Sequence, residues 1–261
     1  MPSLGPRAVS SGARLEHVAE TGSTSADLFL SAKDGAHGTI WRVADVQTGG
    51  RGRRSRNWVS PPGNLYASVL ISDPAEPAHV AELSFVLALA LRDAVLKAAG
   101  LADDHRLRLK WPNDLMYDGR KTAGLLLEGG ATGGGAFAVA GFGVNIRSHP
   151  DGTTHPATDL ASAGYRLDRD SLFSALSDSV ATRLDEWQRG ANFDAVRRDW
   201  LACAHGLGKP IRVNALNDSF DATFETVDVS GRLVVSTPEG TRTVSAGEVF
   251  VLEDTRIGDV Q

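Results

Sequence analysis

Hydrophobic positions divide the chain into a long segment that mixes helix and strand patterns and a short segment of strands alone. Across residues 78–99, apolar side chains recur at spacings of three and four, which predicts an amphipathic helix packed across a sheet. Shorter runs of β-branched and apolar residues predict strands, and other stretches have helical periodicity. The expected strands are 15–18, 39–46, 64–72, 106–111, 123–128 and 136–146, and the other expected helices are 23–32, 169–189 and 193–204.

Turn residues mark how these elements are connected. Asp118-Gly119 lies between two apolar runs and predicts a tight hairpin. After residue 205, short strands alternate with turn dipeptides, which predicts a small β-barrel; the dipeptides are Asn217-Asp218, Ser230-Gly231 and Glu239-Gly240. Residues 1–14 have no periodicity and are expected to form a mobile tail. We therefore expect a tail (1–14), an α+β domain with a mixed sheet (15–205) and a β domain (206–261).

Composition narrows the class of protein. The chain has 261 residues, 42% of them apolar, but it has neither an apolar run of 18 residues nor a signal-peptide pattern, so we expect a cytoplasmic protein without a membrane span. Cys203 is the only cysteine, which excludes an intrachain disulfide and a cysteine cluster that holds zinc. The formal net charge of −5 argues against a protein that coats nucleic acid.

One segment, residues 50–58, combines two glycines, four arginines and a tryptophan, and we call it the arginine loop. Glycine lets backbone N–H groups approach phosphate oxygens, arginine binds phosphate or carboxylate through two parallel hydrogen bonds, and tryptophan offers a stacking face for a base. The loop is neither a Walker loop nor a dinucleotide fingerprint. Its composition indicates nucleotide binding, while a solvated surface loop or nonspecific nucleic-acid binding remains the alternative.

Three other places carry candidate chemistry. The segment 110–114, Lys-Trp-Pro-Asn-Asp, places a cation, an aromatic ring and a carboxylate around a proline turn, where Asp114 could hold Mg²⁺ or simply cap the turn. Lys121 could neutralise a reacting phosphate, or be an ordinary solvated lysine beside a turn. In Gly141-Phe142-Gly143-Val144-Asn145 the glycines allow a ligand to approach closely, although glycine in a strand also marks an ordinary bulge.

The order of these motifs along the chain resembles the biotin protein ligase family. The motifs are GSTSADL, DVQTGGRGRRSRNW, NLYASVLI, LRLKWPNDLMYDGRKTAGLLLE and GFGVNI, followed by a small β unit that contains GEV. The resemblance implies a class II synthetase-like catalytic domain with a C-terminal SH3-like β-barrel. It also implies an enzyme that forms biotinyl-5′-AMP from biotin and ATP with Mg²⁺, and then transfers biotin to a lysine of the biotin carboxyl carrier domain of an acyl-CoA carboxylase.

The resemblance also assigns site residues. The catalytic set that it implies is Lys121, Arg53 and Arg51. Those implied to contact biotin are Ser23, Thr24, Ser25, Gln47, Arg51, Gly52, Arg53 and Lys121. Those implied to contact ATP or the adenylate are Gly50, Arg51, Gly52, Arg53, Arg54, Trp58, Asn113 and Asn145. The chain departs from the family where Ser25 replaces an asparagine, Ser55 a glycine, and Asn57 a lysine or glycine, but we expect activity to survive.

Several alternatives stay open at this level. A lipoate or octanoate ligase shares the catalytic fold, and a nucleic-acid-binding module would explain the arginine loop alone. Family members that repress transcription have a winged helix-turn-helix domain before the first strand. The segment before Leu15 is too short for such a domain. We therefore expect a monofunctional ligase without sequence-specific DNA binding. The sequence does not decide between a monomer and a homodimer, nor which group deprotonates the acceptor lysine.

Overall fold

The larger part of the protein is built on a seven-stranded sheet with the order β1-β2-β3-β7-β6-β5-β4. The computed structural model describes residues 1–153, 156–215 and 218–252. Only β1 and β2 run parallel, and the other neighbours are antiparallel. The strands are β1 (Arg14–Thr21), β2 (Thr39–Gln47), β3 (Leu65–Ser72), β4 (Leu107–Lys110), β5 (Asp114–Tyr117), β6 (Arg120–Thr132) and β7 (Gly135–Val144).

Helices cover the sheet, and strand alternation decides which face each one covers. In β3, Leu65, Ala67 and Val69 join the main core with the long helices, whereas Leu70 belongs to a smaller cluster under α2. The polar Ser68 also lies on the second face, where the site forms. The helices are α1 (Pro6–Ser10), α2 (Thr24–Lys33), α3 (Leu83–Ala98), α4 (Arg169–Trp187) and α5 (Phe193–Ala202), and the 3-10 helices are Arg53–Ser55, Pro77–Glu82 and Gln188–Gly190.

The C-terminal part is a second sheet of five antiparallel strands in the order β11-β10-β9-β8-β12. It shares the main core, because Ile211 and Phe224 belong to the same apolar cluster as α3 and α5. The indole Nε1 of Trp111 donates to the carbonyl of Gly231 at 3.2 Å and adds a polar link between the two sheets. The strands are β8 (Pro210–Asn214), β9 (Ser219–Val227), β10 (Leu233–Thr237), β11 (Gly240–Val244) and β12 (Glu248–Val251).

The expected fold class, a mixed sheet with helices followed by a β unit, is confirmed. The hairpin at Asp118-Gly119 is present, and both residues have the positive φ angles, 45° and 73°, that a type I′ turn needs. The long helix predicted from residue 78 begins as the 3-10 helix Pro77–Glu82 before α3. Asn217 and residues 253–261 lie outside the described residues.

The N-terminal segment differs from the mobile tail that was expected. Pro6 begins the short helix α1, which packs against α4 and buries Ala8 to 1% exposure. The backbone N–H of Gly5 donates to Ser177 Oγ at 2.9 Å, and a Cβ on Gly5 would lie 2.2 Å from Asp178 Oδ1. The segment is ordered without apolar periodicity because a few apolar contacts, among them Ala8 and Leu4, act together with backbone N–H bonds to Ser177 and Asp178 of α4.

Candidate functional site

A cavity of about 390 Å³ opens on the face of the sheet that carries α2. Its floor is made of small residues, because Gly124 of β6 lies opposite Gly143 of β7, and Gly141 of β7 lies opposite Ser68 of β3. A Cβ added to Gly143 would lie 2.4 Å from Trp58 Cε2. The floor is therefore open because these strand positions have no bulky side chain.

The N-terminus of α2 and the end of β2 form a polar wall. Ser23 is the N-cap of α2 and accepts from the Ala26 N–H at 3.4 Å. Gln47 Oε1 accepts from both the backbone N–H and the hydroxyl of Thr24, at 2.9 and 3.0 Å. Thr24 Oγ1 also lies 2.7 Å from Ser68 Oγ, and Ser23 Oγ lies 3.2 Å from Ser25 Oγ. The wall thus has two sets of hydrogen bonds, one between Ser23 and Ser25 and one that joins Thr24, Gln47 and Ser68, and each set holds its side chains in position.

The arginine loop folds back on itself across the cavity. The N–H of Trp58 donates to the Gly50 carbonyl at 2.9 Å, and the N–H of Gly52 donates to the Arg56 carbonyl at 2.7 Å. Gly50 has no room for a side chain, because its Cβ would lie 2.5 Å from the Trp58 carbonyl oxygen. The Trp58 indole rests on Gly143 and Gly124, with its Nε1 buried and without a hydrogen-bond partner. The loop thus holds its aromatic ring over the glycine floor.

The arginines of the loop have different partners. Arg51 forms an ion pair with Glu128 of β6 at 2.9 Å. Arg53 donates to Asn113 Oδ1 at 3.4 Å and to the Gly247 carbonyl at 3.2 Å, and burial lowers its pKa against the pull of nearby carboxylates. Arg56 forms an ion pair with Glu248 of β12 at 2.7 Å. The loop is therefore fastened to the seven-stranded sheet at one end and to the C-terminal sheet at the other.

Asp114 is the buried charge centre of the site, with 8% of its surface exposed. Its carboxylate lies 3.1 Å from Lys110 Nζ and 2.6 Å from Lys121 Nζ. Burial alone would raise the pKa of Asp114, but the two ammonium groups outweigh it and hold that pKa well below its usual range. Burial also lowers the pKa of Lys110, and Asp114 opposes this effect.

The expected Mg²⁺ role of Asp114 does not fit this arrangement. Each carboxylate oxygen already has an ammonium partner, and among residues 1–153, 156–215 and 218–252 no group of three or more His, Cys, Asp or Glu side chains could hold a metal ion. Asp114 is an internal counterion here. Magnesium commonly binds phosphate oxygens and water and keeps few protein ligands.

The cavity brings together most of the residues that the sequence singled out. Its lining includes Ser23, Thr24, Ser25, Gln47, Arg51, Gly52, Arg53, Trp58, Asn113, Asp114, Lys121 and Asn145. Asn113 Nδ2 donates to the Leu125 carbonyl, and Asn145 Nδ2 donates to the Thr158 carbonyl at 3.2 Å, so both amides are held in fixed orientations.

Two expected residues do not line the cavity, and several that do were not expected. Gly50 acts through the close packing of the loop, and Arg54, in a left-handed conformation with φ 55°, is exposed and reaches the Asn214 carbonyl at 3.4 Å. Lining residues that the sequence did not single out include Ser68, Gly124 and Glu248. Lys110, Gly141 and Gly143 were candidates outside the assigned site, and the close approach of a ligand that the glycines of β7 allow is the signal that pointed to the floor.

This fold is that of a biotin/lipoate ligase: the model of the Biotin/lipoate A/B protein ligase family matches residues 21–145, and that of the Biotin protein ligase C terminal domain matches residues 206–252. A similar protein is the biotin--[acetyl-CoA-carboxylase] ligase of Paracoccus denitrificans, 38% identical over 89% of this chain and 98% of the relative. The chain belongs to the biotin protein ligase family.

Solved structures agree with this assignment. A biotin protein ligase from Aquifex aeolicus in complex with biotin and ATP is 25% identical, with a TM-score of 0.76 over 90% of this chain and 97% of that one. A biotin protein ligase from Leishmania major in complex with biotinyl-5-AMP is 25% identical, with a TM-score of 0.64 over 89% of this chain and 99% of that one.

Within the described part of the chain, no helix combines the length and apolar character needed to cross a membrane.

Proposed function

We propose that the cavity binds biotin and ATP side by side and joins them as biotinyl-5′-AMP, which then acylates a lysine of a carboxylase carrier domain. The observation that carries this proposal is the convergence of a polar wall, a glycine floor and a fastened arginine loop on one cavity. Two similar structures, described above, are complexes with ligands of this kind. The cavity volume falls in the range of about 300–1,000 Å³ that is usual for small-molecule sites.

The polar wall is proposed to bind the ring end of biotin. Ser23, Thr24 and Ser25 present hydroxyl groups at the start of a helix, and Gln47 fixes Thr24 through two hydrogen bonds. A hydrogen-bonded network that is complete before the ligand arrives costs little reorganisation on binding. The apolar and glycine floor then accepts the rest of the molecule.

The cations are proposed to act where negative charge develops. Biotin's carboxylate attacks the α-phosphate of MgATP in line and pyrophosphate leaves; Arg51, Arg53 and Lys121 stabilise the charge on the pentavalent phosphorus. This role is electrostatic and needs no covalent enzyme intermediate. Trp58 is proposed to pack against the adenine, with Asn113 and Asn145 near the nucleotide.

The arginine loop is proposed to act as a lid over the adenylate. A mixed anhydride hydrolyses when water reaches it, so the intermediate must stay enclosed until the acceptor lysine arrives. Arg53 lines the cavity and donates to Asn113 Oδ1 and to the Gly247 carbonyl, which supports a role for its guanidinium in retaining the adenylate anion. We further propose that the enzyme works in the cytoplasm without sequence-specific DNA binding, as a monomer or homodimer.

The test is biotin-dependent pyrophosphate release by the purified chain with MgATP, run in parallel with lipoate and octanoate. We expect release with biotin alone, followed by transfer of the label to a biotin carrier domain. Release with lipoate or octanoate instead of biotin would contradict the proposed substrate. A folded protein that releases no pyrophosphate with any of the three acids would contradict the proposed reaction.

A further inference from the structure

The cationic side chains that line the cavity are of two chemical kinds, arginine and lysine. Three are arginines, Arg51, Arg53 and Arg56, and two are lysines, Lys110 and Lys121. Both lysines contact the same carboxylate, Asp114. Guanidinium groups stay protonated in proteins and are poor nucleophiles, whereas a lysine that loses its proton becomes a strong one. Lysine is also scarce in this chain, with five among its 27 Lys and Arg residues.

The difference between arginine and lysine matters because the proposed intermediate reacts with amines. In the proposed reaction, the activated carbonyl of biotinyl-5′-AMP acylates a lysine of the carrier domain. Lys121 is proposed to lie next to this carbonyl. A neutral Lys121 would hold its nitrogen beside the carbonyl at a high effective concentration. The nitrogen would attack the carbonyl carbon, the bond from that carbon to the phosphate oxygen would break, AMP would leave with the electron pair, and a proton would pass to solvent. The product would be an enzyme blocked by biotinyl-lysine.

We propose that Asp114 protects the enzyme from this self-acylation, by holding Lys121, and with it Lys110, as ammonium ions that have no lone pair to attack activated biotin. The inference rests on the proposed function. Asp114 Oδ1 lies 2.6 Å from Lys121 Nζ, and the Trp58 ring, 5.3 Å from the same nitrogen, also favours a cation.

The position of Asp114 suits this role. It is buried among the elements that carry the lysines, since it begins β5 while Lys110 ends β4 and Lys121 lies near the start of β6. The register pairs Lys110 with Asp114 and Met116 with Lys121, so two antiparallel ladders bring both ammonium groups to one carboxylate. The same residue is not placed to bind Mg²⁺, which leaves its charge available to the lysines.

The test supplies synthetic biotinyl-5′-AMP to the folded wild-type chain and to Asp114→Asn, then maps biotinylated lysines by peptide mass spectrometry. We expect at least about a tenfold rise of biotin on Lys121 in Asp114→Asn, because the carboxylate 2.6 Å away no longer stabilises the ammonium form. Supplying the adenylate separates this readout from any loss of the first reaction step.

A second variant keeps the test decisive if Asp114→Asn does not fold. The double variant Lys110→Met/Asp114→Asn removes one cation and one anion. It avoids a buried Lys110 that has lost its Asp114 carboxylate, and Lys121 still loses the same carboxylate. We expect biotin on Lys121 above the wild-type level in this variant too. The matched control is Asp178→Asn, which removes the carboxylate 3.2 Å from Lys97, a lysine of α3 that does not line the cavity. Biotin on Lys97 should stay at the wild-type level.

Two results would overturn the proposal. One is a folded variant that binds biotinyl-5′-AMP yet carries no more biotin on Lys121 than the wild type. The other is an equal rise on Lys97 in the control, which would mean that released adenylate acylates any lysine that loses its carboxylate. Failure of the proposed function gives a different result, because the wild-type chain would then form no adenylate from biotin and MgATP.

Discussion

The ion pair between Arg56 and Glu248 is expected to set how long the arginine loop stays closed. Glu248→Gln keeps the shape of the side chain and removes its charge. The Arg56 side chain is 47% exposed and that of Glu248 14%, so solvent screens the pair and its contribution is at most about 1 kcal/mol. A change of that size is about fivefold in the ratio of open to closed loops. We therefore expect the bound adenylate to leave faster, by up to about fivefold.

The assay measures the loss of labelled biotinyl-5′-AMP from preloaded enzyme after an excess of unlabelled biotin is added. Asp221→Asn is the matched control, because it removes a similar exposed ion pair, with Arg212, on the same C-terminal sheet but away from the cavity. The double variant Arg56→Gln/Glu248→Gln should release the adenylate less fast than the two single effects combined would give, since both changes remove the Arg56–Glu248 interaction. Equal release rates for Glu248→Gln and Asp221→Asn would refute the reasoning.

Four further predictions test other parts of the site. Lys121→Ala should lower pyrophosphate release at least about a hundredfold without unfolding, as loss of one preorganised cation does; a normal pyrophosphate yield would show that Lys121 has no such role. Arg53→Gly should release adenylate early and biotinylate a bystander protein, whereas unchanged bystander labelling would argue against the lid. Gly143→Ala should displace Trp58, 2.4 Å from the new Cβ, and raise the KM for ATP at least severalfold; an unchanged KM would contradict the packing of that ring. Burial raises the pKa of Cys203 to about 11, so a thiol reagent at pH 8 should label it only after denaturation, and rapid labelling of the native chain would disprove its burial.

Local rules were sufficient to predict much of the fold. The helix predicted over 23–32 and the Asp118-Gly119 turn each depend on adjacent residues, and the structure has α2 at Thr24–Lys33 and the turn at the predicted position. The α1 helix was not predicted because the contacts that order it are made with residues far away in the sequence. Its N–H groups bond to Ser177 and Asp178, more than 170 positions away.

The same distinction explains the site. The arginine loop and the 110–114 segment were recognisable because their composition is unusual over a short stretch. The role of Asp114 was not predictable, since it depends on two strand registers that bring Lys110 and Lys121 to one carboxylate. Glu248 reaches the cavity from a strand almost 200 residues after Arg56, so no local pattern connects the two.

The placement of the five tryptophans gives the protein an internal optical reporter. Trp41, Trp187 and Trp200 are at most 1% exposed, belong to the apolar core and do not line the cavity, which keeps their surroundings nearly constant. Trp58 belongs to the arginine loop, with its indole on the glycine floor, and the buried Trp111 also lines the cavity. Changes in intrinsic fluorescence when ligands enter therefore report chiefly on these two residues, and the entry of ligands can be followed in real time without attaching a dye.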